Sequence, residues 1–187
     1  MKANALKQAM AKVSSAKISE APYAAKGFHL EISVAPAEVA AAAAVLDREG
    51  FFIEAVTGVD WLGEQAAAEK AAKAAAAAAA KKAAASGEAA PAEPAPAVAP
   101  AIPAEDQFEV VYDFNHYEAL CRVTMRVRVV RSTPEVPTIS EIYPGANWHE
   151  RETHDFFGIV FTGHPDLSPL LLPEDADFHP LRKDFQA

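Results

Sequence analysis

Leu120-Cys121-Arg122-Val123-Thr124-Met125-Arg126-Val127-Arg128-Val129-Val130-Arg131 alternates between apolar and polar side chains, strictly so from Cys121 to Val129. Cys121, Val123, Met125, Val127 and Val129 fall on one side, Arg122, Thr124, Arg126 and Arg128 on the other. Successive side chains of a strand point to opposite faces, so the pattern marks an antiparallel strand with one buried face. The arginine row could dock an acidic partner, but a solvated sheet face is the commoner explanation for such a row. Just upstream, Phe108-Glu109-Val110-Val111-Tyr112-Asp113-Phe114 is a second strand, with turn chemistry at Asn115-His116-Tyr117-Glu118 between the two. Phe51 to Val59 is a third strand, followed by the aromatic anchor Trp61 and the breaker Gly63.

Pro36 to Glu49 reads as a helix, with proline at an early position, good helix formers behind it and Gly50 as its stop. Val39, Ala42, Val45 and Leu46 share one face of it. Ser132 to Pro137 is expected as a loop, and Thr138 to Tyr143 as a helical turn ended by Pro144-Gly145. These elements give an α+β fold class: a small mixed or antiparallel sheet with flanking helices and an extended C-terminal tail. Along the chain this gives an N-terminal segment (1–35, frayed or weakly helical) and a first part of the α/β domain (36–63). A low-complexity insertion (64–106), a second part of the domain (107–158) and a proline-rich docking tail (159–187) complete it. In the insertion, residues 66–85 are mostly alanine and predict an isolated helix of about 30 Å. Pro91 to Pro103 predicts a polyproline-type spacer.

The 187 residues suffice for one domain, or one domain and a tail. A net charge of −9 argues against nucleic acid as the main partner, because binding phosphates needs a basic surface. The single cysteine, Cys121, excludes an intramolecular disulfide, and equally a cysteine-ligated iron–sulfur cluster or zinc finger built by this chain alone. No apolar run approaches the roughly 20 residues of a membrane-spanning helix.

The densest chemistry lies in Asn147-Trp148-His149-Glu150-Arg151-Glu152-Thr153-His154-Asp155-Phe156-Phe157-Gly158. Asn147 is placed as an N-cap with Glu150 three residues on, a variant of the capping box. Glu150 and Glu152 suit the positive end of the helix dipole, and Gly158 the left-handed residue that closes the helix. A metal site would have to come from Glu150, His154 and His149, or from His164 and His179. Glu150 and His154 share a helix face, but no HExxH or comparable spacing is present. Ser168 has no nucleophile elbow around it, and neither a phosphate loop nor a glycine-rich dinucleotide fingerprint occurs. The sequence offers no way to bind a nucleotide or a redox cofactor, and a stand-alone metal-dependent enzyme using His149, His154 and His164 is the enzymatic alternative that is left.

Several motifs together resemble a known family. They are Glu150-Arg151-Glu152-x-x-Asp155-Phe156-Phe157-Gly158, Phe161-x-Gly163-His164-Pro165-Asp166-Leu167, Leu171-Leu172-Pro173-Glu174-Asp175 and His179-Pro180-Leu181-Arg182-Lys183-Asp184-Phe185. Thr57-Gly58-Val59-Asp60, Phe108 to Tyr112 and Tyr143 to Trp148 extend the likeness upstream. The family is the thirty-kilodalton subunit of respiratory complex I, in bacteria the C subunit of NADH–quinone oxidoreductase. Pro169 to Asp175 also looks like the equivalent subunit of energy-converting nickel–iron hydrogenases and formate hydrogenlyases. Three features depart from the family pattern. His154 stands where an apolar or aromatic residue is usual, Ser168-Pro169 where two basic residues often follow the leucine, and the alanine/proline insertion has no counterpart.

The resemblance implies a cofactor-free α/β subunit of the peripheral arm, at the cytoplasmic face of the inner membrane. It would support assembly and electron transfer to quinone coupled to proton translocation. Its partners would be the large quinone-pocket (hydrogenase-like) subunit and the iron–sulfur subunits, with iron–sulfur clusters and flavin, or nickel–iron, held in those partners. Contact with the membrane would be indirect, through the complex. The expected subunit-interface residues are Glu150, Arg151, Glu152 and Asp155 as ion-pairing groups and Phe156 and Phe157 as apolar anchors. His164 belongs to the same set, and Arg182, Lys183 and Asp184 would fix the tail.

Overall fold

A computed structural model describes residues 2–63, 67 and 106–186. The chain divides into two compact units, Met1–Asp60 with Gln107–Ala187, and Trp61–Asp106. Of the second unit, only Trp61 to Gly63, Ala67 and Asp106 are described. There Gly63 adopts a positive φ and its N–H donates to the Asp106 carboxylate at 3.4 Å. The alanine-rich helix and the proline spacer expected from the sequence lie outside the described residues.

The first unit is α+β. Its elements are α1 (Lys2–Met10), β1 (Lys17–Glu20), the helical turn α2 (Tyr23–Lys26), β2 (Leu30–Val34), a 3-10 turn (Pro36–Glu38) and α3 (Val39–Arg48). They continue with β3 (Phe52–Asp60), β4 (Gln107–His116), β5 (Cys121–Val130), β6 (Glu135–Pro137), α4 (Ala146–Phe157) and β7 (Val160–Thr162). Five strands form one sheet in the order β1-β2-β5-β4-β3. All neighbours are antiparallel except β2 and β5, which run parallel with Leu30 opposite Val123 and Ile32 opposite Met125.

The alternation of β5 sets the two faces. Cys121, Val123, Met125, Val127 and Val129 are all buried, and their partners on β4 are His116, Phe114, Tyr112, Val110 and Phe108. This face joins Leu6 and Met10 of α1, Val39, Val45 and Leu46 of α3 and Phe157 of α4 in one hydrophobic cluster. The arginine face is a cross-strand ion ladder. Arg126 and Arg128 reach Glu109 at 2.9 and 3.2 Å, Arg122 reaches Glu54 at 2.6 Å, and Thr124 donates to Asp113 at 2.6 Å. Opposite charges on facing strands stabilise the sheet pairwise, so this row is internally neutralised.

Three readings of the sequence are corrected. The first 35 residues supply two helices and two strands of the sheet, and Leu6 and Met10 are fully buried. The Ser132–Pro137 loop contains β6, which pairs in parallel with β7 and buries Val136 and Phe161. The charged helix begins at Ala146 with Gly145 as its N-cap, so Asn147 caps nothing and Glu150 lies beyond the first turn. Its C-terminus is as expected: Gly158 is left-handed, φ 69°, and its N–H donates to His154 O at 2.7 Å.

Candidate functional site: the helix–tail clasp

Helix α4 packs across β3 through Thr153 and Phe157. Gly58 makes the approach possible, because a Cβ at that position would stand 2.5 Å from the Phe157 ring. Phe157 meets Phe108 edge-on, with 6.4 Å between centroids. This fixes the helix and leaves its other side free to grip the downstream chain. After Thr162 the described chain, to Gln186, contains isolated turns but no helix or strand. Beyond its isolated turns such a segment has no ladder of its own to fix its course, and α4 supplies bonds that do.

The Asp155 carboxylate is buried, and its Oδ2 accepts the N–H groups of Leu170 and Leu171 at 2.8 Å and of Leu172 at 3.4 Å. Burying an ionised carboxylate is costly unless it is hydrogen-bonded, and successive amides meet that need here. One turn earlier, Arg151 donates to Ser168 O from Nε and Nη2 at 3.1 and 3.0 Å, and to Pro169 O at 3.2 Å. The planar, multi-donor guanidinium suits this fork. Farther along, His179 Nδ1 lies 2.8 Å from Asp155 O, the Leu181 N–H donates to Phe156 O at 3.2 Å, and Arg182 Nε donates to Phe157 O at 2.6 Å. The last carbonyls of α4, which a helix leaves without internal partners, are therefore bonded by the tail. Gly158 has to be glycine, because a side chain there would strain its φ and collide with Arg182 and His179.

The tail's far end is tied to the sheet. Arg131 pairs with Asp60 and, at 2.7 Å, with Asp184, while the Lys183 N–H donates to Asp60 at 2.9 Å. The Arg131 and Arg182 guanidinium groups lie 4.5 and 5.3 Å from the Phe108 ring centroid. Burial first, then the neighbouring Arg131, pulls Arg182 below the ordinary arginine value. Sequence reasoning missed Asp60 and Arg131 as part of this site. Each sits at the end of a strand, and only the fold brings them together.

Glu150 stands apart from the clasp. It is fully buried, and it accepts the Ile139 N–H at 2.9 Å and the Thr138 hydroxyl. Its bonds therefore hold the turn after β6 in place of the helix N-terminus that the capping-box pattern suggested. Burial pushes its carboxyl up to about 7, against the lowering effect of those two bonds.

A family model described as respiratory-chain NADH dehydrogenase, 30 Kd subunit, matches residues 32–187. The chain belongs to this 30 kDa subunit family. Among its relatives, the NADH-quinone oxidoreductase C subunit of Roseiflexus castenholzii is 54% identical over 80 residues, 43% of this chain and 46% of the relative. The same subunit of Moorella thermoacetica is 40% identical over 84 residues, 45% of this chain and 57% of the relative. The chain thus spans about half the length of the curated relatives it matches. A trypsin-resistant fragment of Nqo5 superposes with a TM-score of 0.56 at 26% identity, covering 89% of this chain and 100% of the fragment. A chain of the membrane-bound sulfane sulfur reductase, an archaeal respiratory membrane complex, shares the fold. Its TM-score is 0.66 at 21% identity, over 98% of this chain and 85% of that one.

Within this 30 kDa-family chain, the expected interface residues divide by position. Arg151, Asp155, Phe157, Arg182 and Asp184 are engaged in holding the tail or the core, and the His164 side chain is buried beside Glu150. Asp155 takes amides where an ion pair was expected. Glu152 and Phe156 are half-buried, and the Lys183 side chain lies on the exposed tail. His154 spans the Gly158 turn, its Nδ1 2.8 Å from Ile159 O. Among the described residues no three His, Cys, Asp or Glu side chains converge to hold a metal ion, and no helix is long and apolar enough to cross a membrane.

Proposed function

We propose that this chain is a structural subunit of an NADH–quinone oxidoreductase of the complex I type, holding no redox centre of its own. Iron–sulfur clusters and flavin would reside in the partner subunits, and the chain would sit peripherally, on the cytoplasmic face of the membrane. Its work is to support assembly, and so electron transfer to quinone coupled to proton translocation. The observation that carries this reading is the Asp155 carboxylate gathering three consecutive tail amides. Together with Arg151 it sets a coreless tail on one track, along which Leu171 and Leu181 stay 59% and 54% exposed. Exposed leucines on a segment held this firmly are available as contacts for another protein, and an apolar surface of that kind has meaning where it forms one patch. Glu152, Phe156 and Lys183 would join them at the contact with the large quinone-pocket subunit and the iron–sulfur subunits.

The test is the double substitution Leu171→Ser and Leu181→Ser in the native complex. Both side chains face outward, so the isolated chain should keep its unfolding midpoint. The variant should be depleted from the membrane-bound complex on a native gel, and NADH-to-quinone electron transfer should fall in proportion. A complex of normal composition and activity would refute the reading.

A further inference from the structure

Glu150 is a fully buried carboxyl that the clasp does not use. The turn after β6 presents to it the Ile139 N–H and the Thr138 hydroxyl, and Thr138 Oγ1 lies 2.9 Å from Ser140 Oγ. The segment after β7 presents His164, whose Nε2 is 3.8 Å from Glu150 Oε2. From β4 comes the Tyr112 phenol, fully buried and without a hydrogen-bond partner among the described residues. On β3, Glu54 is committed to Arg122 and Asp60 to Arg131; on α4 itself, Arg151 and Asp155 are turned to the tail. Among the described residues no lysine or arginine pairs with Glu150.

These groups have two consistent arrangements. A hydroxyl carries one proton, so Thr138 donates either to Ser140 or to Glu150. When Glu150 is protonated, its O–H donates to Thr138 and Thr138 donates to Ser140. When Glu150 is charged, Thr138 donates to it instead. His164 Nδ1 accepts the Asp166 N–H at 3.1 Å, so Nε2 carries the ring proton, which it gives to Asn147 O at 3.3 Å. A charged carboxylate nearby competes for that proton, because a charge-assisted bond is roughly twice as strong as a neutral one.

We propose that Glu150, Thr138 and His164 form a proton-operated latch on the loop from Gly163 to Leu167, where the tail departs. Loss of the Glu150 proton reverses the hydroxyl chain and draws the His164 N–H from Asn147 to the carboxylate. The carboxyl proton passes to Thr138 Oγ1 as the Thr138 proton passes to Ser140 Oγ and the Ser140 proton to solvent, so each hydroxyl regains the O–H bond it gives up and only the carboxyl O–H is lost. The Tyr112 phenol, held far above its ordinary range by burial and then by the Glu150 charge, stays neutral throughout. With Glu150 pushed up to about 7 by burial, the change falls at neutral pH. Between the ordinary 4.5 and about 7 the folded chain holds a proton that the unfolded chain has lost, so the folding constant falls as pH rises. The latch tightens locally while the whole fold loses stability.

The experiment compares the full chain with Glu150→Gln, which fixes the neutral form. Between pH 6 and 8 the folding constant of the parent should fall about tenfold more than that of the variant. Protection of the Asp166 amide against hydrogen exchange, corrected for intrinsic rate, should rise with pH in the parent alone. Identical pH profiles for the two proteins would overturn the proposal, as would an Asp166 amide indifferent to pH. If the variant does not fold, infrared spectroscopy of the parent decides. A buried carboxylic-acid band present at pH 6 and lost by pH 8 supports the latch, and its absence at pH 6 overturns it.

Discussion

Asp155 shows how one residue converts loose chain into a surface. Its Oδ2 gathers the amides of Leu170 and Leu171 and, at longer range, Leu172, and the neighbouring Arg151 takes carbonyls just before them. Carboxylate and guanidinium thus serve as complementary backbone receptors one helical turn apart. Replacing Asp155 by Asn keeps one acceptor but removes the charge that strengthens each bond. We expect a loss of about 1–2 kcal/mol, concentrated in the tail. Hydrogen exchange at Leu170 and Leu171 should accelerate well before the core strands respond. Unchanged exchange at these two amides would show that the charge is not what holds the tail. At this scale the sequence was partly misleading: Asn147 and Glu150 have the spacing of a cap, yet Glu150 serves Thr138 and Ile139. Nothing local distinguishes an Asn-x-x-Glu that caps a helix from one whose glutamate turns inward to a different segment.

Elements were legible where their pattern is long. The ten residues of β5, the stop at Gly50 and the left-handed Gly158 are all present as read. The N-terminal elements escaped because β2 has only five residues and its partner β5 lies about ninety residues away in sequence. A parallel pairing leaves no turn signal between its strands. The three-residue pair β6 and β7 is hidden for the same reason. What ties the N-terminal elements down is visible at Glu38. Its carboxylate accepts the Ser14 hydroxyl at 2.6 Å, the Ser15 N–H at 2.7 Å and the Ser15 hydroxyl. These bonds, from Ser14 first, hold Glu38 down at about 2. A depressed carboxyl contributes stability that is complete above its ordinary 4.5 and is lost as pH falls toward 2. Glu38→Gln should therefore narrow the difference in urea midpoint between pH 5 and pH 2.5 relative to the parent. An equal acid sensitivity in the variant would show that this contact does not contribute.

At the scale of the whole molecule, the sheet positions the helix, the helix positions the tail, and the tail carries the apolar residues presented outward. Gly58 admits Phe157, Phe157 fixes α4, and α4 with Asp60 and Arg131 fixes residues from Ser168 to Asp184. The charged helix looked from its sequence like a surface made to meet another protein directly, and in the fold much of its charge is turned to its own tail. The direct test is Arg151→Ala, introduced into the native complex and into the isolated chain. We predict that the isolated chain keeps its circular dichroism spectrum while the complex assembles poorly and electron transfer to quinone falls. Assembly and quinone reduction both unchanged, with the variant fully incorporated, would contradict a tail held by α4 for docking.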